Sequence, residues 1–228
     1  MPTALSAALH SWSWPNGALL FGDVLWYAMG GSGYSGDPCK TSPENGVMFM
    51  PENQGDEQKL EELILYISEK CANDSTFGAV KLNKILCFSD FIFYAYHGVG
   101  ITGVEYQKLP AGPAPRRLLP VRDKMIRESS LALQEVPLRS GYVQKRTVNL
   151  RKPRLDLFSG EEIALVDSVI EALSQVDADT TSAISHEMVG WMVASPGETI
   201  PYNTVYFANP PLSLSEQYRA RELKAAPV

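Results

Sequence analysis

Cysteine is scarce in this 228-residue chain: there are three, Cys39, Cys71 and Cys87. They form no CxxC pair and no even-numbered framework, which argues against a disulfide scaffold and a closed zinc site and reads as reduced thiols in a cytosol. Histidine is equally sparse. His10, His97 and His186 lie far apart, and none has a second histidine at a metal-ligand spacing. Long apolar runs are missing too. The longest candidate, around Ile85 to Tyr96, is interrupted by Ser89 and Asp90, so no membrane span is expected. No Lys or Arg precedes Lys40, so the start lacks the basic region of a signal peptide and a cytoplasmic protein is expected. The glycine-rich stretch Gly30-Gly31-Ser32-Gly33-Tyr34-Ser35-Gly36 lacks the Gly-Lys-Ser/Thr ending of a phosphate loop and reads as linker. No helix-turn-helix pattern is recognisable.

What is present is a hydrophobic content of 45%, enough for one sizeable core, and a net charge of −6 that is unevenly distributed. Between Lys108 and Arg154 stand twelve basic residues and three acids, a segment of +9 that leaves −15 for the remainder. Such asymmetry fits internal complementarity, with the basic segment against acidic helices, or a contact with a partner. Protein is favoured over nucleic acid as that partner, because the acidic remainder would repel a polyanion.

Patterning divides the chain. Residues 1–55 contain Trp12, Trp14 and Trp26, hold few charges and keep no helical or strand period for long, so they read as a poorly ordered extension, with Met48 or Met50 as possible natural starts. From Asp56, Leu60, Leu63, Ile64, Ile67 and Cys71 mark one face of an amphipathic helix with Glu61, Glu62, Glu69 and Lys70 outside. The next helix, about Val80 to Tyr96, is apolar nearly all round and belongs at the centre of a bundle, with Gly98 ending it. Ile101 to Tyr106 reads as a strand, and Pro110 to Pro115 as a rigid turn into a helix from Arg116 to Ser129 that contains Pro120. Leu131 to Val136 and Tyr142 to Leu150 read as a pair of antiparallel strands.

Ser159-x-x-Glu162 is a capping box for a helix with Ile163, Val166, Val169, Ile170 and Leu173 inward. Asp179 or Thr180 caps another, with Ile184, Met188, Trp191 and Met192 inward, stopped by Pro196-Gly197. On a single helix His186 and Trp191, five residues apart, would contact different neighbours. A short extended piece, Thr204 to Phe207, and a polar helix, Ser213 to Leu223, complete the pattern. The expected fold is α+β and predominantly helical: a compact helical bundle with a small antiparallel sheet or hairpin over residues 56–210, between the N-terminal extension and a tail at 211–228.

Residue chemistry points away from catalysis. Asp90, in an otherwise apolar helix, must find a partner or shift its pKa, and a buried pair with Lys84 or an arginine of the basic segment is the preferred reading over a catalytic acid. His186 reads as a structural histidine bonding across the core. A composite site from His97, His186 and Cys87 or Asp90 would require the fold to assemble it. Cys87 reads as an inert, buried small hydrophobe.

The order of motifs is more specific than any one of them. Lys81-Leu82-Asn83-Lys84-Ile85-Leu86-Cys87-Phe88-Ser89-Asp90, then Tyr94 and His97-Gly98, then Ile101 through Tyr106 to Gly112-Pro113-Ala114-Pro115, resembles the opening half of the Panacea domain, the SocA-like antitoxin family. Ser185-His186-Glu187 with Trp191, then Gly197-Glu198-Thr199-Ile200-Pro201-Tyr202, is similar to its closing half. The resemblance implies a type II antitoxin that directly binds a co-encoded protein toxin, with delivery of the toxin to a protease, or a chaperone, as further partner roles. It implies no enzyme activity, no cofactor and no metal. Its candidate binding or structural residues are Lys81, Lys84, Asp90, Tyr94, Tyr106, Gly112, Pro113, Arg116, His186 and Trp191. The alternatives are a hydrolase-like enzyme using His186 and Asp90, and a DNA-binding regulator using the basic segment.

Overall fold

A computed structural model describes residues 55–138, 141–174 and 176–207. The expectations for the N-terminal extension, a start at Met48 or Met50, and a helix from Ser213 to Leu223 lie outside the described residues. Helix α1 (Glu57–Lys70) starts where Asp56 accepts the Lys59 amide at 2.9 Å. Helix α2 (Ala79–His97) ends on Gly98, whose φ of 71° is the left-handed C-terminal conformation. As its all-round apolarity predicts, α2 is the hub, packed by α1 and by several later helices and strands.

After α2 the chain forms β1 (Tyr106–Leu109), β2 (Gly112–Pro115), helix α3 (Leu118–Arg127), and the long hairpin β3 (Leu131–Pro137) and β4 (Val143–Asn149). A short 3₁₀ turn at Leu155–Leu157 leads to helix α4 (Gly160–Ala172), then α5 (Ala178–His186), α6 (Val189–Val193), β5 (Thr199–Ile200) and a 3₁₀ helix at Tyr202–Tyr206. The strands make two small antiparallel sheets, one ordered β2-β1-β5 and one of β3 with β4. The fold is α+β and mainly helical. Both members of the Ser159–Glu162 capping box are formed.

Several local expectations are corrected. Residues 101–105 are not a strand, because Thr102 is held through its amide and hydroxyl by Asp90, and its carbonyl by the Asp56 amide, while Gly103 takes φ 63°. The strand begins at Tyr106, where the reading ended it. The Pro110 to Pro115 turn is in fact a two-residue turn followed by the edge strand β2. The pairs Leu109 with Gly112 and Gln107 with Ala114, together with the Arg116 amide on Glu105 O at 2.8 Å, make the hydrogen-bonded positions, so Pro113 and Pro115 turn their missing N–H outward. Pro120 falls in the first turn of α3, where no intrahelical donor is needed. The helix expected through Trp191 is two, broken at Met188 with ψ 123°, and it is capped by Asp177 rather than by Asp179 or Thr180. Met192 is exposed. Residues from Thr204 form a 3₁₀ turn, with the Thr204 hydroxyl on Pro201 O at 2.6 Å.

The acidic face of α1 is also not where periodicity puts it. Glu61 and Glu62 are buried, because the basic segment covers them. Lys124 reaches Glu61 at 2.7 Å, Arg117 reaches Glu57 at 2.6 Å and Lys152 reaches Glu69 at 2.5 Å. Glu62 accepts two bonds from Arg151, at 2.8 and 2.7 Å, and the Arg154 amide at 2.8 Å. Internal complementarity therefore takes up much of the basic segment. Burial by itself raises the Glu62 pKa, but the bonds from Arg151 and Arg154 outweigh it and hold the carboxyl below its ordinary value of 4.5.

A carboxyl depressed in the folded state contributes stability above its unfolded pKa and loses it as pH falls through the folded one. Denaturant titrations of the wild type should therefore show stability declining below about pH 4.5, and Glu62→Gln should lose about 2 kcal/mol at pH 7 with a shallower acid decline. An unchanged acid slope in Glu62→Gln would assign the decline to other groups.

Candidate functional site

Three prolines in six residues leave the β1–β2 turn with more carbonyl acceptors than backbone donors, since proline has no N–H. Side chains from three helices supply the missing donors. Trp191 Nε1 donates to Leu109 O at 3.1 Å, the His186 ring to the Pro110 carbonyl, the Ser182 hydroxyl to Ala111 O at 3.2 Å, and Lys84 Nζ to Pro113 O at 3.1 Å. Four acceptors between Leu109 and Pro113 are thereby clasped by α2, α5 and α6.

Gly112 makes the close approach possible. Its φ is 100°, and a Cβ there would lie 2.2 Å from Ser185 Oγ and 2.6 Å from Lys84 Nζ. Lys84 is buried, without the carboxylate partner expected for it, and burial pushes its ammonium down to about 8. Burial, then the Lys84 charge, hold the His186 pKa below its ordinary value, and its Nε2 is buried with no hydrogen-bond partner among the described residues. The break at Met188 folds Trp191 back so that its ring stacks on His186, with centroids 3.9 Å apart and planes 11° apart; this corrects the expectation of separate neighbours. Lys108 Nζ lies 4.3 Å from the Trp191 ring and donates to Ala194 O at 2.9 Å.

Asp90 belongs to a second network. Its carboxylate accepts the Thr102 amide at 2.7 Å, the Thr102 hydroxyl at 2.5 Å and the Tyr106 hydroxyl at 2.8 Å. The expected pair with Lys84 or an arginine is not formed; neutral donors from the 102–106 segment take its place. Burial raises its pKa, opposed by the Thr102 and Tyr106 bonds. Tyr202 closes the network, stacking on Phe91 at 4.6 Å and donating to Val104 O at 2.8 Å. Tyr94 packs at the edge of this aromatic group, 5.2 Å from Tyr202 and 5.9 Å from Tyr206.

The remaining candidates are elsewhere. Lys81 is buried on Asp74 at 2.8 Å and on Thr76, tying the α1–α2 connection. Arg116 bridges Glu105, Gly197 O and Thr199 across the strand edges. The fold thus gathers Lys84, Gly112, Pro113, His186 and Trp191 into one clasp and Asp90 with Tyr106 into another network, with His186 and Asp90 in separate ones. Ser182, Lys108, Thr102 and Tyr202 complete these networks and are absent from the sequence-based candidates; the carbonyl excess of a proline-rich turn is the signal that would have called for added donors.

Chemically, the arrangement favours holding over reacting. Asp90 is occupied by three donors, and burial pushes the Cys87 thiol far up and the Cys71 thiol to about 12. No group of three or more His, Cys, Asp or Glu that could hold a metal occurs among the described residues, and no helix there is long and apolar enough to cross a membrane.

Gly112→Ala forces a side chain into occupied space at an unfavourable φ and should cost about 2–5 kcal/mol in urea unfolding. Asp90→Asn, which turns an amide N–H₂ toward existing donors, should cost about 1–3 kcal/mol. A melting temperature unchanged by either substitution would mean that these contacts do not hold the domain.

A family model described as antitoxin SocA-like, Panacea domain, matches residues 82–192. That stretch runs from the first turn of α2 through the clasped hairpin to the His186–Trp191 stack and Met192. Neither the curated proteins nor the solved structures include a match to the chain. Residues 82–192, a little under half of the chain, are thus similar to the SocA-like antitoxin, Panacea domain family.

Proposed function

We propose that this protein is a type II antitoxin that neutralises a co-encoded protein toxin by direct, stoichiometric binding, with residues 56–210 as the antitoxin unit. The observation that carries this reading is the family match combined with the use made of the motif residues. Lys84, Gly112, Pro113, His186 and Trp191 are engaged with one another or with the β1–β2 turn, so their chemistry is used inside the fold. Such residues hold a binding surface in shape. The same reasoning weighs against a hydrolase built on His186 and Asp90, whose polar atoms serve different networks. It also weighs against a nucleic-acid grip by the basic segment, because Arg117, Lys124, Arg151, Lys152 and Arg154 already meet α1 carboxylates. Delivery of the bound toxin to a protease is compatible with this role as a second step.

The test is co-expression of the neighbouring reading frame with and without this protein, followed by co-purification. Growth should be rescued and the two proteins should elute together in fixed stoichiometry. Trp191→Ala should lower stability by about 3 kcal/mol as a large-to-small change and lose rescue through unfolding, while His186→Ala should be milder. Rescue by substoichiometric amounts, abolished by His186→Ala in a protein that remains folded, would instead indicate an enzyme acting on the toxin or its product.

A further inference from the structure

If the motif residues face inward, the toxin must be met by other side chains. Hairpin β3–β4 presents the clearest set. Its root is anchored: Leu131 and Thr147 are buried, the Thr147 and Ser68 hydroxyls are 2.6 Å apart, and Arg146 donates to Ala72 O at 3.0 Å and Asp74 O at 2.8 Å. The Gln144 amide reaches Ser75 O at 3.4 Å. Beyond Gln144 the hairpin has no hydrogen bond to the rest of the domain among the described residues, yet it remains regular, with Pro137 opposite Val143 and the Leu138 amide on Tyr142 O at 2.8 Å. Three apolar side chains are bare on that outer half: Tyr142 is 77% exposed, Val143 53% and Leu138 41%. An exposed tyrosine beside aliphatic neighbours on a regularly paired arm has the composition of an interface centre.

Charge specifies the occupant. Among the described residues, the α1 carboxylates pair with Arg117, Lys124, Arg151, Lys152 and Arg154, but Lys145 on this arm has no acid within 4.0 Å and no hydrogen bond, even though Glu135 is its register partner. Arg127, at the end of the helix that leads into β3, is likewise unpaired. The second group of bare apolar residues, Val193, Tyr206 and Phe207, has no such unpaired cation within it.

We infer that the outer half of the β3–β4 hairpin, centred on Tyr142 and Val143 and flanked by Lys145, is the surface that receives the toxin, through an apolar patch on the toxin bordered by acidic side chains. This rests on the antitoxin reading above.

The probe is the purified product of the neighbouring reading frame, titrated against full-length protein. Tyr142→Ser with Val143→Ser should leave the melting temperature unchanged, because both side chains are exposed, and weaken binding by about tenfold or more. Lys145→Glu should weaken binding and flatten its salt dependence. Val193→Ser with Phe207→Ser should bind as the wild type does. Wild-type binding together with hairpin variants that bind within about twofold of it would overturn the surface while leaving the antitoxin role intact. So would a hairpin substitution that abolishes self-association of the protein alone, since the arm would then serve a second copy. No binding by the wild type would overturn the antitoxin reading and this inference with it.

Discussion

The β1–β2 turn has more acceptors than its own backbone can satisfy, and the rest of the domain is organised around that shortage. Pro110, Pro113 and Pro115 remove three amide donors from a segment whose strand, β2, is fully buried. A buried carbonyl without a donor costs about 1–3 kcal/mol, so the turn is tolerable only if side chains arrive to bond it. Lys84 from α2, Ser182 and His186 from α5 and Trp191 from α6 do so. Elements nearly a hundred residues apart in sequence are thereby fixed to one point.

Helix α2 ties this clasp to the second network. Lys84 and Asp90 lie on the same helix, the first meeting the end of the hairpin and the second its beginning, through Thr102 and Tyr106. Neither forms the ion pair that a buried charge ordinarily seeks; each is balanced by neutral partners, and burial moves both pKa values toward the uncharged form. The ion pairs of the basic segment lie mainly where it meets α1, with Arg116 on Glu105 beside β1 as an exception. The buried charges Lys84 and Asp90 at the hairpin are thus met by neutral groups, and the carboxylates of α1 mainly by cations. An arm whose lysine is included in neither remains available to a partner.

Much of this was legible in the sequence. The helical periods of α1, α2 and α4, the Gly98 stop, the capping box and the β3–β4 pair all follow from local pattern, because each is settled within a few residues. What was not legible depends on tertiary partners. Glu61 and Glu62 read as solvent-facing because their partners, Lys124, Arg151 and Arg154, are remote. Residues 112–115 read as a turn because proline ordinarily breaks a ladder, and only the edge position of β2 makes it acceptable. Asp90 was singled out correctly as needing a partner, but an apolar helix does not say whether a cation or a set of hydroxyls will supply it. The His186–Trp191 stack was invisible for a similar reason, since the break at Met188 has no glycine or proline to announce it.

The claim that the clasped turn holds the domain together is most directly tested by native-state hydrogen exchange over residues 106–115 compared with α2. The amides of Tyr106, Leu109 and Ala114 should exchange only through global unfolding, with the same opening free energy and denaturant dependence as the buried centre of α2. Lys84→Met should lower both by the same amount. Exchange of the hairpin through a local opening of much lower free energy, leaving α2 fully protected, would contradict the account and make the turn a peripheral feature of a core that stands without it.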